Sequence, residues 1–224
     1  MKKSEVDILR AWQENGDQWI RTIENDLIQS RKYATNQAII NAILELKPKS
    51  VLDVGCGEGW LCRTLSVRGV QCTGIDGVTD LIAYAKEKGG GEFILATYED
   101  LVQGNVKLDN TFDLIVFNFS LFGETNTIEV LSLIKSNLQE NGQILIQTIH
   151  PENEAIQKQS NSGWMTEDWK SCQLDCTSFN WYFRTQGEWE KTFEKAGVKL
   201  EAQKTITLPG TTTPFSIIYT CKLL

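Results

Sequence analysis

Residues 51–59, VLDVGCGEG, constrain this chain more than any other stretch. A short apolar run carries an aspartate, Asp53, and leads into Gly55, Gly57 and Gly59, with Cys56 among them. An apolar run of this kind reads as a strand covered on both faces. Alternating glycines permit positive φ and let backbone approach a ligand more closely than a Cβ allows. The segment that follows reads as a helix, so its free N–H groups and positive dipole end face the same point. A ligand is therefore expected beyond the carboxyl end of this strand.

The rest of the chain alternates in the same manner. QCTGID (71–76), EFILA (92–96), FDLIVFNFS (112–120) and QILIQTI (143–149) read as further strands. Helices are expected over 58–68, 79–88 and 126–139, the last closed by a turn at Asn141-Gly142. A helix at 187–196 precedes strands at 198–206 and 215–223, which no helix separates, so these two pair antiparallel. The pattern predicts an α/β, Rossmann-like, doubly wound, mostly parallel sheet. Ahead of it, residues 1–47 read as an N-terminal helical cap. It comprises two short helices split at Gly16 and a third over 35–46 with Thr35 as N-cap. Residues 48–224 then form the ligand-binding domain, with a polar, tryptophan-rich insert at about 151–186 that shows no clean period.

Spacing separates the ligands such a loop can hold. Dinucleotide sites use G-x-G-x-x-G around a pyrophosphate. Here the spacing is G-x-G-x-G, and Asp53 precedes it. A carboxylate beside a pyrophosphate is repelled, whereas one beside a cationic amino-acid end is welcome. S-adenosylmethionine (SAM) has that end and an uncharged linker. Asp76, with Gly77 beside it, closes the second strand, where a carboxylate accepts from both ribose hydroxyls.

Bulk properties narrow the remaining classes. There are 22 basic and 29 acidic residues, a net charge of -7, which weighs against nucleic acid as a partner. The apolar runs fall far short of the roughly 20 residues that span a bilayer. The N-terminus lacks the apolar core of a signal peptide, so a cytoplasmic location and reduced cysteines are expected. Six cysteines without a C-x-x-C pair, and a single histidine, argue for structural thiols and no metal. Monomer and homodimer both stay open.

At these residues the chain resembles the class I SAM-dependent methyltransferases. The resemblance rests on VLDVGCGEG at 51–59, GID at 74–76, FDLIVFNFSL at 112–121 and GQILIQT at 142–148. It implies a seven-stranded sheet whose last strand is antiparallel. It also implies that Gly55 underlies the methionine portion of SAM and that Asp53 holds the loop or the amino group. Near the adenine, Thr97 stands where the family usually has an acid, so its hydroxyl is expected to bond adenine. Tyr98 would do so through its backbone N–H, with Glu99 as a helper. Asn118 and Phe119 fall where the family touches both cofactor and substrate. SRKYATNQAI (30–39), QTIHP (147–151) and WYFRT (181–185) are also similar to a group of small bacterial methyltransferases of undefined substrate. There the N-terminal helices and the insert cover the cofactor, which implies that Arg31 and Tyr33 contact its carboxylate region, the alternative being a solvated helix end.

The implied reaction moves a methyl group from SAM to an O, N or C nucleophile of a small molecule, yielding S-adenosylhomocysteine (SAH). Positioning and exclusion of water supply much of the acceleration, so a general base is optional. His150, the only histidine, is a candidate base or simply a turn residue before Pro151. Tyr182 and Arg184 are candidates for the acceptor side, with Arg184 suited to a carboxylate or phosphate or else to a surface ion pair. Trp164, Trp169, Trp181 and Phe183 are expected to wall the acceptor pocket or to fill a lid. The alternatives are a SAM-binding regulator without turnover, given Thr97, and a nicotinamide-dependent oxidoreductase, against which the glycine spacing argues.

Overall fold

The computed structural model describes residues 3–154, 156, 160–167 and 176–224. Nine strands and seven α-helices are arranged around one large sheet among the described residues. The chain opens with α1 (Lys3–Glu24), a π-helical turn (Arg31–Thr35) and α2 (Asn36–Leu46). The alternating region then runs β1 (Ser50–Val54), α3 (Trp60–Ser66), β2 (Gln71–Asp76), α4 (Thr79–Lys88) and β3 (Glu92–Leu95). It continues with α5 (Tyr98–Gln103), β4 (Phe112–Asn118), α6 (Thr125–Ile134) and β5 (Leu138–Ile149). A hairpin of β6 (Gly163–Thr166) and β7 (Asn180–Phe183) precedes α7 (Gln186–Ala196), β8 (Val198–Thr207) and β9 (Pro214–Leu223).

The main sheet is seven-stranded, ordered β3-β2-β1-β4-β5-β9-β8. Strands β1 to β5 pair parallel, and β9 pairs antiparallel with both β5 and β8. The expected α/β topology is thus the observed one. Alternation along β1 builds the two faces: Leu52 and Val54 join the core beneath α6 and α7, with Phe117, Val130 and Phe193. Val51 joins the opposite core beneath α2 and α3, with Ile39, Ile43 and Leu61. Fully buried side chains on both faces explain why these strands read as nearly unbroken apolar runs.

Three local expectations are corrected. First, α1 does not break at Gly16; it continues to Glu24. Helix α1 packs against the start of α4 there, and a Cβ on Gly16 would make only ordinary contact with Val78 Cγ1, at 3.5 Å. That packing offsets the loss of about 1 kcal/mol that glycine brings to a helix. Second, Thr35 gives no side-chain cap; it sits inside the π-helical turn that runs into α2. Third, the helix expected to reach 139 stops at Ile134, and β5 passes through Asn141, whose φ of 66° accompanies a register shift against β4. The β6–β7 hairpin was not expected, because strands of four residues in a polar insert leave no period to read.

A third core covers the carboxyl edge of the sheet. Ile8 and Ala11 of α1 meet Phe179, Trp181 and Phe183 there. Asn15 clamps the two segments: its Nδ2 donates to the Thr177 carbonyl at 2.8 Å and its Oδ1 accepts from Thr177 N–H at 2.7 Å. Helix α1 is therefore fastened to the insert, while α2 belongs to the sheet's own packing.

Candidate functional site

The strand order reverses between β1 and β4, and both deliver their ends to the same crevice. A cavity of about 320 Å³ opens there, bounded by the glycine loop below and by α1 above. A larger, open polar hollow of about 910 Å³ lies at the opposite ends of the strands, around Lys49, Thr73 and Asn110. That hollow lacks the glycine loop, so the first cavity is the candidate site.

The glycine loop is locked by sterics and backbone bonds. Gly55, Gly57 and Gly59 have φ of 80°, 57° and 82°. A Cβ on Gly55 would lie 2.3 Å from the Ser120 Cβ, so no side chain fits. Gly55 and Cys56 N–H groups both donate to the Ile75 carbonyl, at 2.7 and 2.9 Å. Asp76 secures the next step: its Oδ2 accepts from Gly57 N–H and its Oδ1 from Val78 N–H, each at 2.9 Å. Burial raises its pKa and these N–H bonds oppose the rise.

Three further ionisable groups face the loop. Asp53 is 2% exposed, and its Oδ1 has no partner within the protein. Burial, with Asp76 and Glu58 nearby, pushes its pKa up to about 8. Glu58 is buried too; one oxygen pairs with Arg63 at 3.2 Å and Oε2 has no partner. Burial raises its pKa against the pull of Arg31 and Arg63. The Arg31 guanidinium lies over the Trp19 and Trp60 rings, 5.5 and 5.0 Å from their centroids, and its Nη2 has no partner. Its pKa is lowered by burial and supported by Glu58 and Asp26. Orphaned acceptors beside an orphaned donor, all at the loop, match a ligand end bearing both ammonium and carboxylate. The residues present therefore fit the amino-acid end of SAM.

Most of the residues singled out from sequence line this cavity. Asp53, Gly55, Cys56, Gly57, Asp76 and Gly77 do so, as do Thr97, Tyr98, Glu99, Asn118, Phe119 and Arg31. Gly59 lies just behind, where a Cβ would strike Phe93 at 2.8 Å. The role expected of the Thr97 hydroxyl is corrected. It caps α5, accepting from Asp100 N–H at 3.0 Å and donating to Asp100 Oδ2 at 2.6 Å. Its proton is thus committed to the cap rather than to a ligand. The Tyr98 hydroxyl donates to the Ser120 carbonyl at 3.1 Å. Phe119 takes a left-handed φ of 53°, and its N–H donates to the Gln147 carbonyl at 2.8 Å.

Four other residues named for the site lie away from the cavity lining. His150 turns away from the cavity: Nδ1 accepts from Glu152 N–H at 3.0 Å, so Nε2 carries the proton and donates to Thr205 Oγ1 at 3.2 Å. No lone pair is left for a base, and burial lowers its pKa. Arg184 is buried behind the site, its Nη2 donating to the Gly123 and Glu124 carbonyls at 2.6 and 2.9 Å. It braces the loop after β4 rather than meeting an acceptor. Tyr182 packs its ring against Arg184 and Trp164, outside the cavity lining. Tyr33 is 59% exposed beneath Lys32. Trp181 and Phe183 fill the third core, Trp164 packs on it, and Trp169 lies outside the described residues.

Residues that sequence reasoning passed over complete the walls. Glu5, Ile8, Leu9, Trp12 and Trp19 come from one side of α1. Leu9, Trp12 and Trp19 fall at helical spacing in the sequence, which marks a buried helix face but no site. Phe122, Asn126, Glu167 and Phe179 come from segments with no motif. Among the described residues, no group of three or more His, Cys, Asp or Glu side chains is placed to hold a metal. No described helix is long and apolar enough to cross a membrane.

Comparison with known proteins agrees with this geometry. A family model described as a methyltransferase domain matches residues 28–203. An uncharacterized methyltransferase of Alkaliphilus oremlandii is 27% identical over 158 residues, covering 64% of this chain and 69% of that protein. A ubiquinone biosynthesis O-methyltransferase of Haemophilus ducreyi is 28% identical over 108 residues, 46% of each chain, so the match spans about half of that relative. In structure, the glycopeptide N-methyltransferase MtfA superimposes with a TM-score of 0.66 at 12% identity, covering 86% of this chain and 92% of that one. The same protein has been solved with SAM bound. With the family model spanning most of the chain and the overall fold shared with a solved methyltransferase, this protein belongs to the SAM-dependent methyltransferases of class I.

Proposed function

We propose that this protein transfers the methyl group of SAM to a small-molecule acceptor inside the cavity beneath α1. The observation that carries the reading is the set of orphaned polar atoms at the glycine loop: Asp53 Oδ1, Glu58 Oε2 and Arg31 Nη2. Asp53 and Glu58 hold the ammonium of the methionine end, and Arg31 holds its carboxylate. Asp76 accepts from the ribose hydroxyls. The adenine lies between Val78, Leu81, Tyr98 and Glu99, with the Tyr98 N–H as donor. SAM supplies an activated methyl on a sulfonium. The chain's part is to orient that methyl toward Asn118 and Phe119 and to exclude water beneath α1.

A cavity of about 320 Å³ partly covered by α1, and an acidic chain, favour a small acceptor over a nucleic acid. A cytoplasmic location follows the same reading, since the described cysteines are free thiols and Cys56, Cys62, Cys72 and Cys221 are buried. A thermal-shift panel tests the cofactor. SAM and SAH stabilise the protein and NAD does not; Asp76→Ala removes the stabilisation. Stabilisation by NAD alone sinks the proposal.

A further inference from the structure

We infer that Arg63, which lies outside the cavity lining, is a positioning residue for the cofactor's ammonium and acts through Glu58; this rests on the SAM reading above. Glu58 stands within the glycine loop and lines the cavity, with 1% of its side chain exposed. A carboxylate taken that far out of water keeps its charge only where other charges and hydrogen bonds replace the water. Arg63 supplies them on the side away from the cavity. Its Nη2 lies 3.2 Å from Glu58 Oε1, and its Nη1 donates to the Glu58 carbonyl at 2.5 Å. One planar guanidinium thus holds the side chain and the backbone of the same residue. That grip fixes the direction of the orphaned Oε2.

The two arginines near Glu58 divide the work. Burial raises the Glu58 pKa, and Arg31, Arg63 and the N–H groups of Glu58 and Trp60 oppose the rise. Arg31 lines the cavity with Nη2 orphaned, so a bound carboxylate draws on it. Arg63 stays committed to Glu58 whether or not a ligand is present. Without Arg63 the buried carboxyl keeps its proton more readily, and a neutral acid offers an ammonium no countercharge.

The fold holds Arg63 in place before any ligand arrives. It stands in the first turn of α3, where its N–H donates to the Gly59 carbonyl at 3.0 Å. Gly90, at the turn between α4 and β3, packs on its stem: a Cβ there would lie 2.8 Å from both Cα and Cγ of Arg63. The Tyr84 ring of α4 lies 5.9 Å from the guanidinium. A long side chain ordered in advance adds no ordering cost when the ligand binds.

The test is calorimetry with two ligands, SAH and 5′-methylthioadenosine, which shares the nucleoside and the sulfur but has no amino-acid end. Arg63→Gln weakens SAH by about tenfold or more, the scale of one lost charge-assisted hydrogen bond, and leaves 5′-methylthioadenosine unchanged. Arg63→Lys, which keeps a cation, falls between the parent and Arg63→Gln on SAH. With Glu58→Gln already in place, Arg63→Gln costs SAH nothing more. Should Arg63→Gln fail to fold, Arg63→Lys carries the same comparison, alone and on Glu58→Gln. Equal weakening of both ligands makes Arg63 a part of the fold alone and overturns the inference. So does unchanged SAH binding, or a loss that persists in full on Glu58→Gln. The parent's own SAH titration reports on the underlying reading: its failure removes the cofactor site, whereas success with the wrong variant pattern removes only the role of Arg63.

Discussion

Asp53 is the residue on which the cofactor end turns. Its carboxyl is buried between Asp76 and Glu58 and holds its proton up to about pH 8. An unfolded chain releases that proton near pH 4. A raised folded-state pKa means that Asp53 contributes stability fully at acid pH and loses it progressively as pH rises toward 8. Without ligand, Asp53→Asn is accordingly less sensitive to pH than the parent across that window, as denaturant unfolding at several pH values will show. Binding a cationic ammonium favours the ionised carboxylate. SAH should therefore displace a proton near neutral pH, visible in calorimetry as an enthalpy that changes with the buffer's ionisation heat. At the same scale, His150→Gln leaves SAH affinity unchanged, since neither ring nitrogen faces the cavity. Sequence made Asp53 and Asp76 legible because they flank glycines with a stereochemical job. It could not show that the Thr97 hydroxyl is committed to Asp100, a contact set by the start of a six-residue helix. Glu58 was in plain view inside the loop, but only burial beside Arg31 and Arg63 gives it meaning.

Helix α1 is the element that turns an open crevice into a cavity. It contributes Glu5, Trp12 and Trp19 to the walls and is held to the insert through Asn15. Replacing Asn15 with Leu breaks both bonds and leaves the amide and carbonyl of the exposed Thr177 to water. The expected cost is about 1–3 kcal/mol in the docking of α1. Limited proteolysis near α1 should accelerate, and SAH should dissociate faster from the variant. Arg184 braces a different element, the turn between β4 and α6. Arg184→Met removes a charged donor from the Glu124 carbonyl and from the Gly123 carbonyl, which keeps Thr127 Oγ1 at 2.7 Å; global stability falls by about 1–3 kcal/mol, measured as a shift in the denaturant midpoint. The strand–helix repeats were legible because each strand is buried on both faces. The insert was not, since its hairpin is ordered by α1 and the third core rather than by local pattern. The single α1 was misread for the mirror-image reason: a tertiary contact at α4 overrides the local penalty of Gly16.

At the scale of the whole molecule, topology places the chemistry. Reversal of strand order between β1 and β4 brings the glycine loop and Asn118 to one crevice. The β9 and β8 pair extends the sheet beyond β5, and the third core then roofs the acceptor end. The resulting cavity has a zwitterion-matching loop at one end and an aromatic chamber of Trp12, Phe122 and Phe179 at the other. Under the proposed function that arrangement sets the direction in which SAM and acceptor lie. A crystal structure of the protein with SAH tests this most directly. The account predicts the SAH ammonium against Asp53 and Glu58, its carboxylate on Arg31, its ribose on Asp76, and its sulfur toward Asn118 and the chamber of Trp12, Phe122 and Phe179. SAH bound outside this cavity, or with its sulfur turned away from that chamber, would contradict it.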